Sequence, residues 1–234
     1  MAINESAFRE LQNFLSLKKV TLVAVSKTKP VSDILALYEL GQRDFGENYV
    51  QELVEKHKQL PSDIRWHFIG HLQRNKVKEI APFVHLIHGV DSRRLLAEID
   101  KQSGRLGRIM PVLLQIHIAR EETKFGLDET ELDDIVRNLS ELNNVAVQGL
   151  MGMASFTEDS TVVRAEFRYL KSLYDLLSKA DNQTKTDSGI SLQRPANRLP
   201  LTTLSMGMSS DYQEAVEEGS NMIRIGSLLF GSRT

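Results

Sequence analysis

Lys27 follows a short β-branched run, Val20 to Val25, and stands in the stretch Ser26-Lys27-Thr28-Lys29-Pro30. A lysine at the end of a strand is commonly a solvated charge leaving the core. Walled by apolar groups it is instead a Schiff-base amine, whose lowered pKa lets it attack a carbonyl. Lys29, beside Pro30, is expected to stay solvated. Near the other end, Ser205-Met206-Gly207-Met208-Ser209-Ser210-Asp211 places small residues at the opening of a helix, with backbone N–H groups free for an anion. Arg224-Ile225-Gly226-Ser227 is a second small-residue turn. Each turn alone also reads as an ordinary one with a capping serine, so their joint position carries the information. Arg224 lies between Ile223 and Ile225 and points either inside the sheet or onto a helix layer. A guanidinium buried in either place needs an acceptor, a carboxylate or the ring nitrogen of a bound heterocycle.

The elements that must position these residues are legible as short β-branched runs alternating with stretches of helical period. Strands are predicted at Val20 to Val25, Arg43 to Phe45, Arg65 to Ile69, Val84 to His88, Met110 to Ile116, Val145 to Leu150, Leu201 to Leu204 and Met222 to Ile225. Helical stripes run through Ile34, Leu37 and Tyr38, through Leu132, Ile135, Val136 and Leu139, and through Val163, Phe167, Leu170, Tyr174 and Leu177. Asp128 with Glu131, and Ser210 with Gln213, resemble capping boxes. About eight strand–helix units after a helix near Phe8, Leu11 and Leu15 are the arithmetic of a single α/β domain, a (β/α)8 barrel of TIM type with an extra N-terminal helix. A doubly wound open sheet is the rival, but its G-x-G-x-x-G turn is missing after the first strand. Asp181 to Pro200 is polar, aperiodic and proline-containing, so residues 181–200 are expected to be a flexible loop insertion on the face opposite the chemistry. Chemistry belongs at the strand ends, where Lys27 and the turns after the seventh and eighth strands fall, and such barrels often hold a phosphate between those last two loops.

Composition removes several functions. The 234 residues include no cysteine, which excludes disulfides, cysteine nucleophiles and thiolate metal sites. Lys plus Arg (29) against Asp plus Glu (31) leaves a net charge of −2, without the basic stripe of a nucleic-acid partner. The first residues lack a secretory pattern and no apolar run approaches the roughly 20 residues of a membrane helix, so a cytoplasmic protein is expected. His67 and His71 are four apart, but Phe68-Ile69-Gly70 between them reads as strand then turn. No metal is expected there, and His67 reads as a hydrogen-bonded wall residue. Met151 and Met153 read as core fillers.

Taken together, the stretches Ala24-Val25-Ser26-Lys27-Thr28-Lys29-Pro30, Phe45-Gly46-Glu47-Asn48-Tyr49-Val50-Gln51-Glu52, Trp66-His67-Phe68-Ile69-Gly70 with Leu72-Gln73 and Asn75-Lys76, Gly149-Leu150-Met151, Leu204 to Ser209 with Asp211, and Arg224-Ile225-Gly226 resemble the pyridoxal phosphate homeostasis proteins. These are alanine-racemase-like, fold-type III proteins of a single barrel. The motifs run in order along the whole chain. The resemblance implies pyridoxal 5'-phosphate as cofactor, held by Lys27 as the internal aldimine, with Arg224 facing the pyridine nitrogen. It also implies phosphate binding by Ser205, Gly207, Gly226 and Ser227, with Asn48 lining the cofactor. His71 stands in a variable position of the family, and the 181–200 stretch is longer than is usual there.

An arginine opposite the ring nitrogen stays protonated, leaves that nitrogen unprotonated and weakens the ring as an electron sink. The resemblance thus implies a non-catalytic carrier in vitamin B6 homeostasis, a monomer, with apo-enzymes that use the cofactor as recipients. An amino-acid racemase is the first alternative, and a Schiff-base aldolase acting through Lys27 is the second. Racemisation needs proton donors and acceptors on both faces of the ring, and a lysine supplies one. Related racemases take the second base, a tyrosine, from a second β domain, and no such domain is expected here after the eighth strand and its short helix. Tyr49 and Tyr212 follow strands on the functional side and are otherwise expected to be packing residues.

Overall fold

The protein is described from a computed structural model, over residues 3–121, 125–178 and 201–231 and, for the backbone alone, 184–185 and 191–192. Eight parallel strands close a barrel in the order β1 (Thr21–Val25), β10 (Met222–Ile225), β9 (Thr203–Ser205), β6 (Val145–Met151), β5 (Met110–Gln115), β4 (Leu86–Val90), β3 (Arg65–Phe68), β2 (Asp44–Glu47). The expected barrel is therefore the fold. Pairing of the first barrel strand with the last, Thr21 to Ala24 beside Met222 to Ile225, is the closure that an open sheet lacks. The helices are α1 (Glu5–Lys18), α2 (Val31–Glu39), α3 (Val50–Gln59), α4 (Val77–Ile80), α5 (Arg93–Arg105), α6 (Glu129–Arg137), α7 (Ser160–Ser178), α8 (Tyr212–Glu217) and α9 (Ser227–Phe230).

Period-two alternation sorts the strand residues between two cores. Leu22, Ala24, Ile223 and Ile225 join the large cluster between sheet and helices. Val23, Leu86, Leu113, Met151 and Met222 form a small separate cluster inside the barrel. The polar interior residues lie in register beside that set: His67 beside Leu86, Ser205 beside Met151 and Met222, and Arg224 beside Val23.

The N-terminal helix is the one expected, with Phe8, Leu11 and Leu15 buried and Asn4 capping its first turn. The Asp128–Glu131 capping box is present at α6. The second box is not. α8 begins at Tyr212 after Asp211, whose carboxylate turns back to accept from the Met208 N–H and is not used as a side-chain cap. The predicted strand at Val84 starts instead at Leu86, because the Val84 N–H is still taken by the Ile80 carbonyl in a helical turn. Most of 181–200 lies outside the described residues; within it, Thr184–Lys185 and Ser191–Leu192 pair as two short antiparallel strands, β7 and β8.

Candidate functional site

Ser26 to Lys29 forms a tight turn after β1, closed by the Lys29 N–H donating to the Ser26 carbonyl at 3.0 Å. Thr28, its third residue, has φ +63°, a left-handed conformation that a β-branched side chain resists. Groups of β2 and α3 hold it there. The Thr28 N–H donates to Glu52 Oε1 of α3 at 2.6 Å. Lys56 Nζ donates to Glu52, to Glu47 and to the Ser26 carbonyl, and Ser26 Oγ donates to Glu47. Burial pushes the Glu47 carboxyl above its ordinary range, against the opposing pull of Lys56. The strained turn is thus pinned from behind by an ion-paired cluster, and Lys27 leaves it half-buried into a cavity.

That cavity, of about 470 Å³, opens at the C-terminal ends of the strands. Among the expected residues, Lys27, Asn48, Arg224, Gly226 and Ser227 line it together. Asn48 brings a buried Oδ1 that has no hydrogen-bond partner among the described residues, an acceptor left for a ligand. Arg224 resolves its two orientations in favour of the barrel interior. Its Nη1 donates to Ser205 Oγ at 2.6 Å and its Nη2 to the Gly152 carbonyl at 2.9 Å, so its acceptors are neutral groups. Burial lowers its pKa to about 10, opposed by the charge of Asp211.

Ser205 and Gly207 do not line the cavity. Ser205 is the last residue of β9, fully buried beneath Arg224. Gly207 is the turn itself. At φ +97° its carbonyl accepts from the Arg224 N–H, and an added Cβ would lie 2.6 Å from Ala215 Cβ. The residues of this loop at the cavity are Met208, Ser209 and Ser210, with Ser209 Oγ accepting from the Gly226 N–H at 3.3 Å. Had the end of β9 at Ser205 been known, counting outward along the loop would have put Ser209, not Ser205, at the mouth.

Two further residues differ from their sequence reading, and a third had none. Lys29 is buried and lines the cavity, because the turn folds its side chain back over the barrel. Met153 also lines the cavity while packing on the interior cluster, whereas Met151 is core. Phe156 stands exposed at the rim, and the sequence gives no sign of it, since an aromatic in a polar loop carries no period. His67 is the hydrogen-bonded wall residue expected, bridging His88 and Asp44. His71 lies apart at the surface, paired with Asp91 and stacked on Phe125. Among the described residues no three His, Cys, Asp or Glu side chains converge as metal ligands, and no helix is long and apolar enough to cross a membrane. Tyr212 packs edge-on against Phe14 of α1, and Tyr49 is exposed before α3.

The family described as alanine racemase, N-terminal domain, matches residues 5–234. A pyridoxal phosphate homeostasis protein of Aquifex aeolicus is 40% identical over 213 residues, covering 91% of this chain and 86% of the relative. One from Homo sapiens is 40% identical over 223 residues, covering 91% of this chain and 76% of its own length. Among solved structures, PipY of Synechococcus elongatus PCC7942 with PLP bound is similar at TM-score 0.82 and 35% identity, covering 97% of this chain and 99% of that one. Alanine racemase from Bartonella henselae, 14% identical at TM-score 0.66 over 97% of this chain and 59% of that chain, shares the barrel. The order of the motifs, the closed barrel and these likenesses agree, and the chain belongs to the pyridoxal phosphate homeostasis protein family, built on the alanine racemase N-terminal domain fold.

Proposed function

We propose that this protein binds pyridoxal 5'-phosphate covalently through Lys27 and holds it for the cell's vitamin B6 balance without turning over amino acids. The observation that carries this reading is the convergence in one cavity of the Lys27 amine, the buried Arg224 guanidinium and the paired loops Met208–Ser210 and Gly226–Ser227. The relatives' names and the PLP-bound PipY structure support it.

The residues suit each part of the ligand. Lys27 offers an amine at a half-buried strand end for the aldehyde. Small residues with backbone N–H groups and the Ser209, Ser210 and Ser227 hydroxyls suit a phosphate better than Ser205, whose Oγ is already engaged by Arg224. Asn48 Oδ1 is an acceptor suited to a ligand donor. When bound, pyridoxal phosphate supplies an electron sink whose strength depends on protonation of its ring nitrogen. Arg224 remains a cation at neutral pH even with its pKa lowered to about 10, so it would face that nitrogen as a hydrogen-bond donor that keeps its own proton. Among the described residues the ionisable groups lining the cavity are Lys27, Lys29 and Arg224, and Lys29 rises from the same turn as Lys27. No tyrosine, histidine or carboxylate of the described residues lines the opposite wall to serve as a second base.

The test is to add pyridoxal phosphate to the wild-type protein and to Lys27→Ala, remove excess by dialysis, and compare visible absorption with circular dichroism. Wild type is expected to retain the chromophore; Lys27→Ala is expected to lose it while keeping its fold, since Lys27 lies at the rim. A Lys27→Ala protein that stays yellow moves the attachment elsewhere. The loaded protein is then incubated with L-amino acids in deuterated water. Exchange of the α-proton at about one per second or faster, abolished by Lys27→Ala, would replace the carrier reading by the racemase one.

A further inference from the structure

The barrel interior contains a chain of hydrogen bonds that crosses it from one end to the other. Arg224 Nη1 lies 2.6 Å from Ser205 Oγ, which is 3.2 Å from His88 Nδ1. His88 Nε2 is 2.9 Å from His67 Nδ1, and His67 Nε2 is 3.0 Å from Asp44 Oδ1. Every member is buried, and four strands besides that of Arg224 contribute one residue each.

Both ends dictate the direction of this chain. An arginine only donates, so Ser205 Oγ accepts from it, and the serine proton is left for its other neighbour, His88 Nδ1. A neutral His88 then carries its proton on Nε2 and donates to His67 Nδ1. At the far end, a carboxylate only accepts, so His67 must present a proton on Nε2. Derived independently, the two assignments meet at the bond between the histidines without conflict. The neutrality of His88 follows first from its full burial, and the Arg224 guanidinium nearby disfavours a positive charge there as well. Asp44, where burial is outweighed by hydrogen bonds from His67 and Arg65, is held ionised with a pKa of about 2.

We infer that Asp44, His67, His88 and Ser205 form a one-directional hydrogen-bond relay that positions Arg224, with His67 and His88 as positioning residues for the guanidinium facing the cavity. Aligned bonds of this kind polarise one another, so Ser205 Oγ becomes a stronger acceptor for Arg224 than an isolated serine. A carboxylate at that place would fix Arg224 too, but would also cancel its charge. The relay keeps its one carboxylate at the other end of the barrel, leaving the guanidinium charge available to whatever occupies the cavity. The relay itself concerns the unliganded protein; its effect on pyridoxal phosphate rests on the proposed function.

The experiment uses unliganded full-length protein at neutral pH. Long-range 15N spectra of the histidine rings are expected to show bare Nδ1 and protonated Nε2 on both His67 and His88. A proton on His88 Nδ1, or a doubly protonated ring at either residue, overturns the relay. Next, hydrogen exchange at the Arg224 guanidinium is compared among wild type, His67→Gln and His67→Leu. Glutamine preserves the order of acceptor and donor, so H67Q is expected to exchange like wild type, whereas H67L is expected to exchange about fivefold faster, roughly the worth of one hydrogen bond. Equal rates in wild type and H67L overturn the positioning role. Should H67L not fold, the wild-type ring spectra still decide the direction of the relay. Finally, the pyridoxal phosphate-loaded proteins are compared: a shift of the visible band in H67L but not in H67Q extends the relay to the cofactor, and an unchanged band in both overturns that extension. Failure of wild type to load removes the cofactor reading, and the ring spectra and exchange rates then decide the relay by themselves.

Discussion

Asp44 is a carboxylate whose environment turns it into a pH-dependent stabiliser. Burial opposes its ionisation, but His67 and a two-point contact from Arg65 outweigh that and bring its pKa from 3.8 to about 2. A folded-state pKa below the unfolded one means that the unfolded chain binds the proton more readily. Its contribution is therefore complete above about pH 4 and is lost as the pH falls toward 2, amounting to about 2 kcal/mol at neutrality. Asp44→Asn is expected to lower neutral-pH stability by about that much and to flatten the acid limb of stability against pH. Urea midpoints measured between pH 2 and 6 give both values; an acid limb as steep as that of wild type would assign the acid sensitivity to other groups.

The turn that carries Lys27 belongs to the next scale, because its shape is set by α3. A left-handed Thr28 costs on the order of 1–2 kcal/mol. The Glu52 contact to its N–H offsets that cost, and Lys56 fixes Glu52 in turn. Glu52→Leu is expected to weaken pyridoxal phosphate binding by about tenfold through a relaxed turn. Thr28→Gly in the same protein removes the strain and is expected to restore most of the affinity, measured by absorbance titration. If the double variant binds no better than E52L, strain at Thr28 is not what Glu52 opposes. A second element-scale feature is the approach of β6 to β9. An added Cβ at Gly149 would sit 1.6 Å from the Thr203 carbonyl oxygen, and backbone cannot move aside as a side chain does. Gly149→Ala is expected to cost roughly 3 kcal/mol or more and to lower Tm by about 10 °C. A thermal scan showing a change under about 2 °C would mean that the two strands separate easily.

Across the whole molecule, the first helix and the last share the support of the site. The Asn4 N–H donates to the Leu229 carbonyl of α9, the helix that Ser227 begins at the cavity, and Phe8 of α1 is buried in the core cluster that also holds Leu229 and Phe230. Phe8→Ala is expected to cost about 3–5 kcal/mol and to weaken pyridoxal phosphate binding as well, because α9 loses its backing. Denaturant unfolding and absorbance titration report the two effects separately. The sequence by itself determined the alternation of strands and helices, the face of each strand, the stripe of the N-terminal helix, and the placing of Lys27 at a strand end and of Arg224 within a strand. All of these depend on residues a few positions apart, where period and propensity act. Only the tertiary structure decided which small residues reach the cavity, where Ser209 and Ser210 line it and Ser205 and Gly207 do not, and that Lys29 turns inward. It alone brought His88 to Ser205 across a separation of 117 residues, and Arg224 beside Val23. The reason is that such contacts are fixed by where each strand stops and by the register in which the barrel closes. Those are global quantities to which every strand pair contributes, so no local window of residues contains them.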